Sequence, residues 1–322
     1  MQNSLNSTER IVITGSSGYL GSLLVEQLKG FPLLLIDVNK PKKTLPDNSV
    51  FKEISILDDN LSDIVSEFHP TTIIHLAFTV KPVHKRKLKI AYKVDIEGTR
   101  NILETAVKIK VKHFIHISST LAYGALPDNP PALVESDPLR AKKSFHYAYH
   151  KKIVEDDILN SYTDVLKNNN IILTVLRPSG FLGENIDNYI SRILLGKFLP
   201  VIRGAGSTQI QWTHEDDVVR GIITSIKNKK AGVFNLTTDD SLTMDEISKI
   251  MPGRRIVVPE ILARLLVKTQ WFLRLGDAPP GYLDFVRYAF VASNKKAKEI
   301  LDWQPKYSSE ETLKSIIKKS KS

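Results

Sequence analysis

Tyr147 and Lys151 lie in the stretch FHYAYHKKIVEDD, residues 145–157. If that stretch is helical, the two side chains sit one turn apart on one face. A free phenol, with a pKa near ~10, is a poor base at neutral pH. An ammonium beside it favours the phenolate. Tyr147 could then take a proton from an alcohol, or return one to a ketone, while a hydride moves elsewhere. Taken alone, Tyr-x-x-x-Lys also recurs on ordinary surface helices. Tyr149 and His150 read as packing or rim groups.

The partner for such chemistry is written near the start of the chain. ITGSSGYLGSLL places Gly15, Gly18 and Gly21 between an apolar run and a helical pattern. One glycine suits a tight turn, one the close approach of a pyrophosphate, and one helix-on-strand packing. The amides of Ser17, Gly18, Tyr19 and Leu20 then face the phosphates at a helix N-terminus. Asp37 ends the next apolar run, 22 residues after Gly15, where a ribose-binding carboxylate is expected. Its charge repels a 2′-phosphate, so NAD is expected over NADP, although Lys40, Lys42 and Lys43 soften the preference. With a dinucleotide cradled here, Lys151 could also reach the nicotinamide ribose.

These residues need a scaffold. RIVITG (10–15), PLLLIDV (32–38), TTIIHLAF (71–78), KHFIHISST (112–120) and NIILTVLRPSG (170–180) read as strands apolar on both faces. Helical patterns lie between them, at 21–30, in LSDIVSEF and at 98–109. That alternation means right-handed βαβ crossovers and a parallel sheet. AGVFNLTT (231–238) reads as a strand returning to the sheet. The fold class is therefore α/β: a Rossmann-type, doubly wound parallel sheet with a smaller C-terminal substrate lobe. The expected division is a flexible N-terminus (1–8), an NAD-binding domain (9–178 with 206–240) and a substrate-binding lobe (179–205 with 241–322).

The 322 residues contain no cysteine, which excludes disulfides, thiol nucleophiles and cysteine–metal sites. No metal site is expected. No run approaches the ~18 apolar residues of a membrane span, and the N-terminus lacks an apolar signal segment. A cytoplasmic location without a membrane partner is expected. Net charge is +10, concentrated in KPVHKRKLK (81–89) and KSIIKKSKS (314–322). Both read as a solvated helix face and a frayed tail. Neither contains Phe, Trp or Tyr, so no nucleic-acid platform is expected.

The ordered stretches TGSSGYLG, IIHLA, GTRNILE, SSTLAYG, YAYHK, LRPSGFLG, THEDDVV and LDWQPKYS resemble the extended short-chain dehydrogenases/reductases of the NAD-dependent epimerase/dehydratase type, from about residue 10 to about 310. The resemblance implies a Ser–Tyr–Lys triad, with Ser119 as the matching hydroxyl beside Tyr147 and Lys151. It implies cofactor contacts at Ser55, Ile56, Leu76, Ala77, Pro178 and Ser179 as well as at the glycine loop. His214, Asp216 and Asp217 match a loop packed between the lobes that starts a helix. A homodimer and a small-molecule substrate are implied too.

The departures narrow the reaction. Dehydratases of this family carry Asp-Glu after the triad hydroxyl, where this chain has Thr120 and Leu121, so dehydration is disfavoured. Without cysteine, the epimerase-reductases that use a cysteine base are excluded. Ile210 and Gln211 replace the usual Arg-Asp that grips a nucleotide sugar's pyrophosphate; Arg203 could compensate. Ser55 stands where the family has an aspartate at the adenine edge, and Asp95 where it has asparagine. In 260–290, the first helix carries Arg264, Lys268 and Arg274 and is read as an amphipathic helix closing the small lobe's core; a lid over an apolar substrate, or a subunit contact through Trp271, Phe272 and Tyr282, are the other readings. The expected function is an NAD-dependent oxidoreductase or 4-epimerase acting on a sugar, nucleotide-linked or not, or on another secondary alcohol or ketone. The alternative is a non-catalytic dinucleotide-sensing or RNA-binding protein of the same fold.

Overall fold

The computed structural model describes residues 9–276 and 278–319; the expected flexible N-terminus, 1–8, lies outside them. The strands are β1 (Ile11–Thr14), β2 (Leu33–Asp37), β3 (Ser49–Glu53), β4 (Thr72–His75), β5 (His113–Ile117), β6 (Ile172–Pro178), β7 (Gly180–Leu182), β8 (Phe198–Ile202), β9 (Gln209–Ile210), β10 (Trp212–His214), β11 (Gly232–Leu236), β12 (Leu242–Thr243) and β13 (Arg254–Val258). The helices are α1 (Tyr19–Gln27), α2 (Leu61–Glu67), α3 (Lys85–Tyr92), α4 (Gly98–Lys108), α5 (His146–Asp157), α6 (Thr163–Asn168), α7 (Tyr189–Leu194), α8 (Glu215–Asn228), α9 (Met244–Ile250), α10 (Glu260–Leu273), α11 (Asp284–Arg287) and α12 (Ser309–Lys319).

Every residue of β1, β4 and β5 is buried. Strands so rich in Val, Ile and Leu are stable only when both faces are covered. They form the centre of a seven-stranded parallel sheet in the order β11-β6-β5-β4-β1-β2-β3. β1 pairs with β2 on one side (Ile11 opposite Leu33) and with β4 on the other (Ile11 opposite Thr72). The chain order reverses between β1 and β4, and a crevice opens there beyond the strands' carboxyl ends. β11 pairs with β6, as the reading of 231–238 anticipated. β3, half exposed at the sheet edge, was not read from the sequence.

Two apolar layers flank the sheet. Leu24 and Leu28, with Val218 and Ile222 of α8, cover one face together with Leu301 and Trp303. Leu61, Ile102, Ala106, Val154 and Ile158 cover the other. A third cluster, including Leu199, Trp212, Met244, Ile247 and Leu313, builds the C-terminal region. There β7–β10 and β8–β13 pair in parallel, and β9–β12 antiparallel.

α1 begins two residues before the glycine that the sequence pattern suggested, and ends at Gln27 rather than at Gly30. α10 is a larger correction. It does not close the small lobe's core: none of its residues is buried. Its charged edge faces the body, where Arg264 bridges Glu260 and Asp284, and Arg287 also bonds Glu260. Among the described residues, no helix is long and apolar enough to cross a membrane.

Candidate active site

The chain turns out of β1 at Gly15 with φ +73°, and a Cβ there would lie 2.6 Å from the Ala77 amide nitrogen. A Cβ on Gly21 would lie 2.3 Å from the Gly15 carbonyl oxygen. Any side chain at either position would drive α1 or the end of β4 away. The bare-backbone floor this leaves is bordered by Gly18, the N-cap of α1, and by Leu20, which is buried behind it. The side-chain oxygens of Ser16, Ser17 and Tyr19 are buried without a partner. Asp37, at the end of β2, accepts from the Ser17 amide (3.0 Å) and the Asn39 amide (2.8 Å). Its carboxylate is thereby fixed beside the glycine turn, with lone pairs left for ribose hydroxyls. Unpartnered buried hydroxyls, bare backbone and a fixed carboxylate fit the pyrophosphate and ribose of a dinucleotide.

The other expected cofactor neighbours lie around this floor or behind it. Leu76 and Ala77 follow β4, and their amides are held by the Thr14 carbonyl (3.1 Å) and hydroxyl (3.4 Å). Ser55 is engaged in a turn, its hydroxyl accepting from Leu57 N at 3.1 Å. Ile56 is buried against α4, its carbonyl accepting from Asn101 at 2.8 Å. Pro178 ends β6, and the buried Ser179 hydroxyl bonds Thr213 at 2.7 Å.

Ser119 caps a short turn after β5, its hydroxyl accepting from Leu121 N (3.2 Å) and donating to the Pro178 carbonyl (3.4 Å). Tyr147 and Lys151 lie on α5, which packs on that turn. The Lys151 ammonium donates to the Ile117 carbonyl at 2.5 Å and sits 3.6 Å above the Phe78 ring and 5.9 Å from the Tyr147 ring centre. The Tyr147 ring meets Phe78 edge-on at 5.7 Å. The structure thus brings Ser119, Tyr147 and Lys151 to one place beyond β5.

Their electrostatics differ from the expectation. The phenol of Tyr147 is not lowered by the ammonium; burial pushes it above the ordinary tyrosine value, hydrogen bonding to Ser119 opposes this, and the Asp95 charge adds to it. Burial pulls Lys151 down to about 7, against the charges of Asp95 and Glu155. Burial dominates both groups, and Lys151 gives its bond to a backbone carbonyl rather than to the phenol.

Sequence reasoning missed a second pair. Asp95 lies in a π-helical turn, Lys93–Glu97, between α3 and α4, a geometry that recurs at functional sites. Its carboxylate accepts from Thr79 N at 2.7 Å and meets His150 Nδ1 at 2.7 Å, with both side chains nearly wholly buried. Of the two readings of His150, packing or rim, its burial agrees with packing. The signal was present in part as one departure, the aspartate at 95 where the family has asparagine. Beneath them, Thr14 and Thr99 bond the two ring nitrogens of His75 at 2.7 and 2.9 Å, and burial pulls its pKa down to about 3.

The substituted pyrophosphate position is structural. Gln211 donates to the carbonyls of Thr238 and Ala292 and accepts from Ala292 N, while Ile210 is buried in the C-terminal cluster. His214 caps α8, whose first turn carries Glu215, Asp216 and Asp217. Asp217 accepts from the amides of Lys306 and Tyr307, fixing the segment after Trp303 against the start of α8. From the C-terminal region, Tyr189 and Tyr282 stand over the site with ring centres 5.5 Å apart, and Tyr282 meets Phe145 at 6.2 Å.

Comparison with known proteins places this architecture. A UDP-glucose 4-epimerase from Thermotoga maritima, solved with UDP-glucose, superposes with a TM-score of 0.75 at 26% identity, covering 97% of this chain and 98% of that one. The UDP-glucose 4-epimerase of Mycolicibacterium smegmatis is 25% identical over 318 residues, 92% of this chain and 93% of its own length. An Escherichia coli N-acetyl-alpha-D-glucosaminyl-diphospho-ditrans,octacis-undecaprenol 4-epimerase is 26% identical over 249 residues, 74% of this chain and 70% of its own. Residues 11–237 match the model of the NAD dependent epimerase/dehydratase family. The chain belongs to that family, and is an NAD-dependent enzyme of the extended short-chain dehydrogenase/reductase type.

Proposed function

We propose that this enzyme is a sugar 4-epimerase, or a sugar oxidoreductase, acting on a sugar joined to a diphosphate, and that Ser119, Tyr147 and Lys151 carry the proton chemistry. The observation that carries the reading is the convergence of the three side chains beyond β5, next to the crevice floored by Gly15 and Ala77. The relatives with named activities support the substrate class: two act on UDP-glucose, and one on a sugar linked by a diphosphate to undecaprenol.

In this reading the glycine turn and Asp37 hold NAD, which when bound accepts a hydride and gives it back. Ser119 donates to the substrate oxygen and steadies charge that develops there. Tyr147 takes the hydroxyl proton and later returns it. Lys151, held by the Ile117 carbonyl, is placed to hold the cofactor's ribose and, while protonated, to offset negative charge that develops on the Tyr147 oxygen during proton transfer. Thr120 and Leu121 offer no carboxylate for removing water, so hydride return to the opposite face of the ketone, or release of the ketone, is the outcome the residues allow. A homodimer in the cytoplasm belongs to the same proposal.

The test is Tyr147→Phe. Turnover on a panel of UDP-sugars and polyprenyl-diphosphate sugars, followed by NMR of the C4 configuration, should fall by about 10²–10⁴-fold. NAD affinity by calorimetry should stay within about ten-fold, since removing an uncharged hydroxyl from a contact costs only ~0.5–1.5 kcal/mol. A variant that still turns over at the wild-type rate removes Tyr147 from its role.

A further inference from the structure

α10 is an amphipathic helix facing the wrong way for a water-soluble body. Glu260, Arg264 and Trp271 form its inner edge, bonded to Asp284 and Arg287 and stacked on His84 with ring centres 4.1 Å apart. At 100° per residue, Ile261, Leu262, Leu265, Leu266, Phe272 and Leu273 share the outer arc. They are exposed, Ile261 by 84%, Leu265 by 59% and Phe272 by 83%, and Leu275 continues the patch at 76%. Scattered exposed leucines are ordinary. A contiguous stripe of this length marks a surface that something apolar covers.

The charges around the stripe say what covers it. The His84–Trp271 stack brings the segment 81–92 against α10. That segment holds five Lys or Arg and no Asp or Glu. Lys87 and Lys89 are exposed, and Ile90 beside them is exposed by 61%. α10 and its cap add exposed Lys268 and Arg274, and the one acid of the helix, Glu260, is engaged by two arginines. A second copy meeting this face through a twofold axis would set cationic strips against each other without acids to match them. An anionic bilayer supplies both halves of the complement: acyl boundary for the apolar arc and anionic head groups for the lysines.

We propose that α10 lies in the surface of an anionic membrane, with the basic segment 81–92 against the head groups. This is contact with a surface and not a span, and it departs from the expectation that no membrane takes part. The place matters for access to the site. The end of α10 and the turn after it, through Gln270 and Gly276, line a cavity of about 260 Å³ with Tyr189 and Arg192 of α7. Burial raises the Tyr189 phenol above its ordinary value, and the neighbouring Tyr282 and Tyr147 phenols add to this. That cavity therefore opens at the level of the membrane face.

The test needs no substrate, so its outcome is independent of the epimerase reading. The full-length protein is sedimented with phosphatidylcholine vesicles, with and without phosphatidylglycerol. Binding should require the anionic lipid and weaken steeply with added salt. Leu265→Gln/Phe272→Gln should bind at least about ten-fold more weakly, since two large apolar contacts are lost; its melting temperature and NAD affinity should be unchanged, because both side chains are already in solvent. Lys87→Glu/Lys89→Glu should weaken binding to the anionic vesicles alone. The proposal fails if the wild type binds neither vesicle, or if the double glutamine variant binds as well as wild type. It fails equally if sedimentation equilibrium shows that this face joins two copies and that the glutamine variant separates them without any vesicle binding.

Discussion

Asp95→Asn changes one charge in the candidate site and almost no shape. The remaining amide oxygen can still accept from Thr79 N, the 2.7 Å bond that fixes the loop after β4. The new NH₂ can only donate, so His150 must present Nδ1 as an acceptor, which a neutral imidazole can do. What cannot be replaced is the negative charge near Lys151. Burial already pulls that amine down to about 7, and Asp95 and Glu155 are the charges that hold it up. Glu155 is bonded to Arg177, so its support is shared. The other groups facing the ammonium give none: burial keeps His75 and His116 far below their usual range, and Tyr147 above its own. The variant's Lys151 must therefore titrate below the wild-type value. A further depression of about one unit takes the charged fraction at pH 7 from about a half to about a tenth, a loss of about five-fold in any step that needs the ammonium. The assay is kcat/KM against pH, which reports the free enzyme. The limb on which activity falls with rising pH should move to lower pH in Asp95→Asn, with the low-pH plateau and NAD affinity retained. An unmoved limb would show that the Asp95 charge does not act through Lys151. A plateau lost at every pH would mean that Asp95 touches the chemistry directly.

Asp37→Ala should lower NAD affinity by about ten- to a hundred-fold, the value of charge-assisted bonds to two ribose hydroxyls, and relax selectivity against NADP; equal loss for both cofactors in steady-state kinetics would disprove the ribose contact. Burial holds the imidazole of His75 at about 3 against an ordinary 6.5. The unfolded chain takes up that proton first, so stability should be intact above about pH 6.5 and fall by about 1.4 kcal/mol per unit as pH drops toward 3. In urea titrations His75→Phe should flatten this acid slope, and an unchanged slope would assign the acid sensitivity elsewhere. Arg177, wholly buried, bonds Glu155 through Nε at 2.7 Å and the Tyr123 hydroxyl at 2.5 Å. Arg177→Met strands the Glu155 carboxylate and should cost about 3–5 kcal/mol, most of it recovered in Arg177→Met/Glu155→Leu; a double variant no more stable than the single would contradict an uncompensated charge as the cause.

What could be read from the chain was whatever depends on near neighbours in sequence. The runs of β1, β4 and β5, with Ile, Val or Phe on both faces and no charged Lys, Arg, Asp or Glu, announce burial on both faces, and Gly15 announces a turn because a side chain there has nowhere to go. The four-residue spacing of Tyr147 and Lys151 puts them on one helix face. Asp95 and His150, by contrast, are joined across 55 residues by a π-helical turn that no local pattern predicts. β3 escaped notice because an edge strand is half wet and lacks a continuous apolar run.

α10 shows the same divide in its sharpest form. Periodicity reveals that a helix has an apolar arc, but not which way the arc faces. Here the direction is set by ion pairs to Asp284 and Arg287, contributed by a helix later in the chain. The sign of the Tyr147 shift has the same origin. An ammonium one turn away lowers a phenol only while the medium between them is polar enough to keep both ionised. Phe78, from another part of the chain, and Phe145, the N-cap of the same helix, pack on the Tyr147 ring and dry the site. Burial pushes both groups toward neutrality, and the Asp95 charge acts on them in opposite senses: it helps Lys151 keep its proton and makes the Tyr147 phenolate harder to form, so a carboxylate at position 95, where the resemblance implies an amide, supports the ammonium at the phenol's cost.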